Sequence, residues 1–240
     1  MPREMAIRGT HDAFMKVLSG AGALAPGARV LDIGAGEGAL SARLQAAGLS
    51  VAACDLVPDH FHVPGVECRR CEPSGALPFP DGQFDLAVAV EVLEHIDGHD
   101  RFFAEAARVL KPGGALVFTT PNILSLKSRI RFLFTGSFYS FKPLTPFTRD
   151  PVHQHISPFT VNRYEWMLSQ HGFRVCRVTT DKLQTTSLLL SFLAPVIALS
   201  ARLTAGRGGP ADILNARACL FGRKLAVVAR KADTAGGGRA

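Results

Sequence analysis

The stretch VLDIGAGEG, residues 30–38, carries glycines at 34, 36 and 38 directly after an apolar run and directly before a helical pattern. Glycine lets the backbone turn sharply and approach a ligand closely, and the N-terminus of the following helix offers free N–H groups to an anionic or polar partner. Gly34-x-Gly36-x-x-Ala39 satisfies the dinucleotide pattern, and Asp55 lies about 20 residues downstream, where a ribose-binding acid would sit. The glycines alone leave a nicotinamide cofactor and other adenosine-bearing cofactors both open.

Such a turn needs a sheet to hold it. Apolar runs alternate with helical patterns: ARVLDIG, a helix from Ala39 to Ala47, SVAACDL, VECRR, FDLAVAV, a helix from His99 to Leu110, and ALVFTT. That alternation predicts a parallel sheet covered by helices on both faces. Ahead of it, residues 11–19 read as a helix capped by Thr10, and Gly20, Gly22, Pro26 and Gly27 as a linker. After it, Asn122–Phe134 reads as a basic amphipathic helix and residues 136–158 as a long loop, a candidate lid. Ser157 and Pro158 open a helix to about Gln170, and FRVCRVTT and KLAVVAR close the set as strands. The expected domains are 1–27 as N-terminal helix and linker, 28–232 as the main folded domain with the candidate lid 136–158 and a hydrophobic insertion at 183–221, and 233–240 as a disordered tail.

Beyond the glycines, the pieces VLDIGAGEG, CDL, ALPFPDGQFDLAVAVEVLEHI, RVLKPGGALVFTTPN and a late HGF occur in one order. In that order the sequence resembles the class I S-adenosylmethionine-dependent methyltransferases, in particular the ubiquinone-type and other small-molecule branch, closely over residues 28–122 and loosely over 150–180. The resemblance implies a Rossmann-like, doubly wound α/β sheet, mostly parallel with an antiparallel last strand, and S-adenosylmethionine as cofactor. It implies that Gly34, Ala35 and Gly36 pass the methionine part, that Asp32 holds the amino acid end, that Asp55 accepts from both ribose hydroxyls, and that Leu56 packs on the adenine. A carboxylate at Asp32 suits an ammonium-bearing ligand, and a turn cap is its other reading. Where relatives carry an Asp for the adenine amino group, this chain reads CEPSG, with Glu72 as the candidate. Glu91 ends the fourth strand at the carboxyl edge, where ligands bind in open α/β sheets, and is expected to line the methionine end.

Methyl transfer from a sulfonium needs positioning first, and a base only if the acceptor arrives protonated. His95, His153 and His155 are the candidates, because imidazole titrates near working pH; a structural role for His95 stays open. No third ligand for a metal at His-x-His is apparent from spacing, and the lone Cys68-x-x-Cys71 sits in a strand pattern, so no metal site is expected.

Residues 1–120 hold 10 Lys/Arg and 15 Asp/Glu, and residues 121–240 hold 17 and 5, so a net −5 half precedes a net +12 half. The basic half suits an anionic partner. Residues 185–201 carry no charge, and Pro195 suggests two shorter helices rather than a span. Together with helix 122–134, segment 185–203 suggests docking on an anionic membrane surface and a small or lipid-linked acceptor, most readily methylated at oxygen. The competing covers for the apolar run are the protein's own core and a homodimer interface. Nucleic acid methylation, a non-catalytic cofactor-binding scaffold and a nicotinamide oxidoreductase are the alternatives, the first being disfavoured because no RNA-binding module is recognisable and the insertion has no use in it. Five scattered cysteines and an N-terminus without a signal-like apolar run suggest a cytoplasmic location, peripheral at the inner face of a membrane if docking occurs.

Overall fold

The structure, a computed structural model, describes residues 2, 6–7, 9–150, 153–205 and 213–233. The tail 234–240 and residues 206–212 of the insertion lie outside the described residues. Seven strands form one sheet in the order β3-β2-β1-β4-β5-β7-β6. They are β1 (Arg29–Ile33), β2 (Ser50–Asp55), β3 (Cys68–Arg70), β4 (Phe84–Ala89), β5 (Leu110–Pro121), β6 (Phe173–Thr180) and β7 (Lys224–Lys231). β1 to β5 run parallel, and β7 lies antiparallel between β5 and β6, as the doubly wound reading requires.

Strand alternation divides the interior into two layers. Leu31, Ile33, Ala87, Phe118 and Val227 face one core with Phe102 and Phe103 of α3 (His99–Val109) and Tyr164 and Leu168 of α5 (Val161–Gln170). Val30, Val88, Val117 and Val228 face the other with Leu40 and Leu44 of α2 (Ala39–Ala46) and Phe14 and Leu18 of α1 (Thr10–Gly20). The N-terminal helix is therefore part of the core. Its N-cap is Gly9 in the left-handed region, not Thr10, whose buried hydroxyl meets Lys224 Nζ at 3.3 Å.

Two helix starts fall later than the periodicity suggests. Helix α4 spans Leu126–Thr135, because Asn122 is held outside it: its Nδ2 lies 2.8 Å from the carbonyls of Cys219 and Gly222 and 3.2 Å from that of Ala218. Ser125 then caps the helix by accepting from the Ser128 N–H. Helix α5 begins at Val161 behind a Thr160 cap, three residues past Pro158. The uncharged run divides into α6 (Thr185–Leu189), a 3-10 turn at Ser191–Leu193 and α7 (Ala194–Ala205), so the break precedes Pro195. Among the described residues no helix is long and apolar enough to cross a membrane. Ser187 of α6 is fully buried and accepts from the Lys127 N–H, which ties the start of the insertion to α4.

Candidate active site

The glycine turn follows β1 at the carboxyl edge of the sheet. Gly34 sits at φ +72°, where an added Cβ would lie 2.5 Å from Val92 Cγ2, so sterics and dihedral both demand glycine. Gly34 and Ala35 donate their N–H groups to the Cys54 carbonyl at 2.8 and 3.2 Å, which brings the turn against the end of β2. Gly36, at φ +55°, donates to Asp55 Oδ2 at 2.8 Å, and Val57 donates to Asp55 Oδ1 at 2.9 Å. Each Asp55 oxygen thus takes one backbone N–H and keeps a lone pair, a geometry that fits a vicinal diol. Leu56 beside it is half-buried.

Asp32 lies at the floor of the same turn, 2% exposed, and accepts from the Ser41 hydroxyl at 2.6 Å. Burial pushes its carboxyl up to about 7, and the charge of Asp55 adds to the rise, although the Ser41 hydrogen bond pulls the other way. A buried carboxylate lacking a cation favours its protonated form, and an incoming ammonium would restore the charge. Glu72 is exposed in the turn after β3, where Ser74 Oγ lies 3.4 Å from its carboxylate.

Glu91 follows β4 in the left-handed region at φ +57°, a costly conformation for a side-chain-bearing residue. It is held there by Thr119, which accepts from the Glu91 N–H and donates to Oε1, both at 3.0 Å, and by Lys224 Nζ at 2.5 Å from Oε2. Lys224 reaches this point because β7 pairs antiparallel with β5, setting Lys224 opposite Pro121 at the carboxyl edge.

His95 ends a 3-10 turn, Leu93–His95, and its Nδ1 lies 3.1 Å from the Gln154 carbonyl. A carbonyl only accepts, so Nδ1 carries the proton and Nε2 is the ring's acceptor. The Glu94 carbonyl accepts from the N–H groups of Ile156 and Ser157, and Ser157 Oγ donates to the Ile96 carbonyl at 2.5 Å. These bonds lay residues 154–157 along residues 94–96 and bring the His155 ring to 4.7 Å from His95, edge to face. Burial lowers the pKa of both imidazoles, and each acts on the same edge as Glu91. His153 is not with them: its side chain is 77% exposed and its Nδ1 meets Asp150 at 3.0 Å.

Two participants escaped sequence reasoning. Glu94 is fully buried between the two histidines' chain segments, and among the described residues no other residue donates a hydrogen bond to either carboxylate oxygen. Burial, then the charge of Glu91, holds it well above the ordinary carboxylate range. Lys224 is the other; only the pairing of β5 with β7 reveals it. The basic face of α4 is also smaller than its composition suggests. Arg129 turns inward to the carbonyls of Leu124 and Leu214, and Lys127 sits over the Tyr139 ring at 3.7 Å.

A family model described as a methyltransferase domain matches residues 5–178. The demethylmenaquinone methyltransferase of Tropheryma whipplei is 38% identical over 97 residues, 38% of this chain and 41% of that one. The ubiquinone biosynthesis O-methyltransferase of Aromatoleum aromaticum is 33% identical over 147 residues, 58% of this chain and 62% of that one. The chain thus spans less than two thirds of either curated relative. A solved S-adenosylmethionine-dependent methyltransferase from Archaeoglobus fulgidus superposes with a TM-score of 0.61 over 93% of this chain and 96% of its own, at 20% identity.

Proposed function

The chain belongs to the methyltransferase-domain family of class I S-adenosylmethionine-dependent enzymes, and from that premise we propose that it moves a methyl group to an oxygen of a small or lipid-linked acceptor. The observation that carries this reading is the convergence of Asp32, the 34–36 turn and Asp55 with the His95–His155 pair at one edge of the sheet. When bound there, S-adenosylmethionine supplies a methyl group on a positively charged sulfur that departs as a neutral thioether. Asp55 holds the ribose hydroxyls through its remaining lone pairs, Asp32 faces the ammonium, and Leu56 covers the adenine. Because Glu72 is exposed, the adenine amino group is left to backbone acceptors near the turn. His95, donating Nδ1–H to Gln154, keeps Nε2 available to take the acceptor's proton.

The acceptor's lipid character rests on the surface beyond that edge. Leu133 and Phe134 of α4 and Leu189, Phe192, Val196, Leu199 and Leu203 of the insertion are all more than half exposed. These exposed apolar side chains, with exposed Arg131, Lys142 and Lys182 in the same stretches of the chain, match an anionic bilayer surface in both greasiness and charge.

The test is calorimetric titration of the purified chain with S-adenosylmethionine and S-adenosylhomocysteine, with and without vesicles containing anionic lipid. Binding of both, strengthened by anionic but not zwitterionic vesicles, supports the reading. Absence of cofactor binding in every condition would overturn it, and vesicle-independent affinity would remove the membrane component.

A further inference from the structure

Beside the cofactor turn lies a cluster that methyl-group chemistry alone does not explain. Glu94, His95 and His155 each present a ligand atom, and these atoms lie within 4.8 Å of one another. Glu94 is wholly inaccessible to solvent and, among the described residues, no other residue hydrogen-bonds either of its oxygens, which for an ionised carboxylate is a severe penalty unless a cation meets it. Both imidazoles are oriented from behind. His95 donates Nδ1–H to the Gln154 carbonyl, and His155 bonds the Ser140 backbone while its buried Nδ1 is left without a partner. A ring that gives one N–H to a carbonyl and offers its other nitrogen forward is the usual arrangement behind a metal-ligating histidine.

We propose that Glu94, His95 and His155 form a binding site for one divalent first-row cation. Two imidazoles and one carboxylate suit zinc, iron or cobalt better than magnesium or calcium, and three protein ligands leave coordination positions for water or an acceptor oxygen. Glu91 adds negative potential, but its carboxylate is already matched by Lys224, which leaves Glu94 as the anionic ligand. The ligand set joins the turn after β4 to the segment after α4, so cation binding pins residues 154–157 against that turn.

Where the acceptor is a hydroxyl, a consequence that rests on the proposed function, coordination lowers its pKa. His95 Nε2, the proton acceptor of the cation-free site, is then a ligand, so the O–H proton passes to water; the oxygen's electron pair forms the bond to the methyl carbon, and the sulfur–carbon pair goes to sulfur.

The full chain, stripped with chelator, is titrated with zinc, and separately with cobalt while the visible absorption is followed. One equivalent is expected to bind, with cobalt giving the ligand-field bands of a low-coordinate nitrogen and oxygen site. Glu94→Gln and His155→Gln are expected to weaken zinc binding at least 100-fold, His153→Gln to leave it unchanged, and both site variants to keep the thermal melt of the parent. No binding by the parent, or equal binding by a folded His155→Gln variant, overturns the proposal. Should Glu94→Gln fail to fold, His155→Gln, altered in an irregular segment, still decides it. Zinc binding in a chain that ignores S-adenosylmethionine would sustain this site while removing the methyltransferase reading.

Discussion

Lys224 Nζ lies 2.5 Å from Glu91 Oε2, so an ammonium on β7 neutralises a carboxylate held in a left-handed backbone conformation after β4. Lys224 is 4% exposed, and little water shares the work of that neutralisation.

Lys224→Met should destabilise the fold by about 3–5 kcal/mol, because it leaves Glu91 charged and unmatched in a poorly solvated site. The double variant Lys224→Met with Glu91→Gln should recover most of that loss. Urea unfolding of the four members of the cycle measures the coupling, and additive losses would show that the pair is not the stabilising unit.

Asp55→Ala should lower affinity for S-adenosylmethionine by about 100-fold or more, since two hydrogen bonds to a charged acceptor are lost at about 1.5–3 kcal/mol each. It also frees the Gly36 and Val57 N–H groups that Asp55 organises. Calorimetry reads the affinity directly, and an unchanged value would dismiss the ribose assignment.

Asp32 predicts opposite effects on stability and binding. Its folded pKa, near 7, lies above its ordinary value of 3.8, so the native state binds more protons than the unfolded state between those limits. Stability therefore falls as pH rises from about 4 to 7, and Asp32→Asn should stabilise the ligand-free protein at pH 8, on the order of 3 kcal/mol. The same change should weaken binding of a ligand that carries an ammonium, while parent affinity should climb with pH toward 7. Thermal melts and calorimetry at pH 5.5, 7 and 8.5 separate the two, and a destabilised Asp32→Asn at pH 8 would refute the buried-charge account.

Gly34→Ala should cost about 1–3 kcal/mol through its φ of +72° and its collision with Val92. Adding Val92→Ala should relieve the collision but not the dihedral, returning part of the stability. Full rescue in denaturant unfolding would mean that backbone conformation contributes nothing there.

Phe192→Ser with Leu199→Ser should reduce cosedimentation with anionic vesicles and leave the melting temperature nearly unchanged, as both side chains are more than half exposed. A large fall in melting temperature would instead place this surface in the protein's own packing.

Most of the sheet was legible because β1, β4, β5 and β7 are buried along most of their length and read as apolar runs, and glycine punctuation marks the turn after β1. Helix starts were less legible. Asn122 fits the periodicity of α4, yet its side chain is committed to carbonyls about 100 residues away, and no local pattern announces that bond. The Ser125 and Thr160 caps were readable signals that stronger apolar patterns obscured. Asp55, His95 and His155 were singled out by type and position and Asp32 through the family resemblance, whereas nothing local in the EVLEHI stretch announces that the Glu94 side chain is buried. Lys224 depended on strand order, which no local window contains.

The placement of β7 between β5 and β6 bears on how the protein is made. A ribosome completes β5 at Pro121 and must then add residues 122–223 before the strand that pairs with it begins to appear. For that interval the nascent chain holds an interior strand with one bare edge, the geometry that recruits unwanted pairing from neighbouring chains. Synthesis at about 5–20 residues per second makes the exposure last several seconds. Lys224 arrives with β7, so Glu91 gains its counter-ion only as the sheet closes, and a chain stalled before that point would carry the glycine turn after β1 without the ion pair beside it.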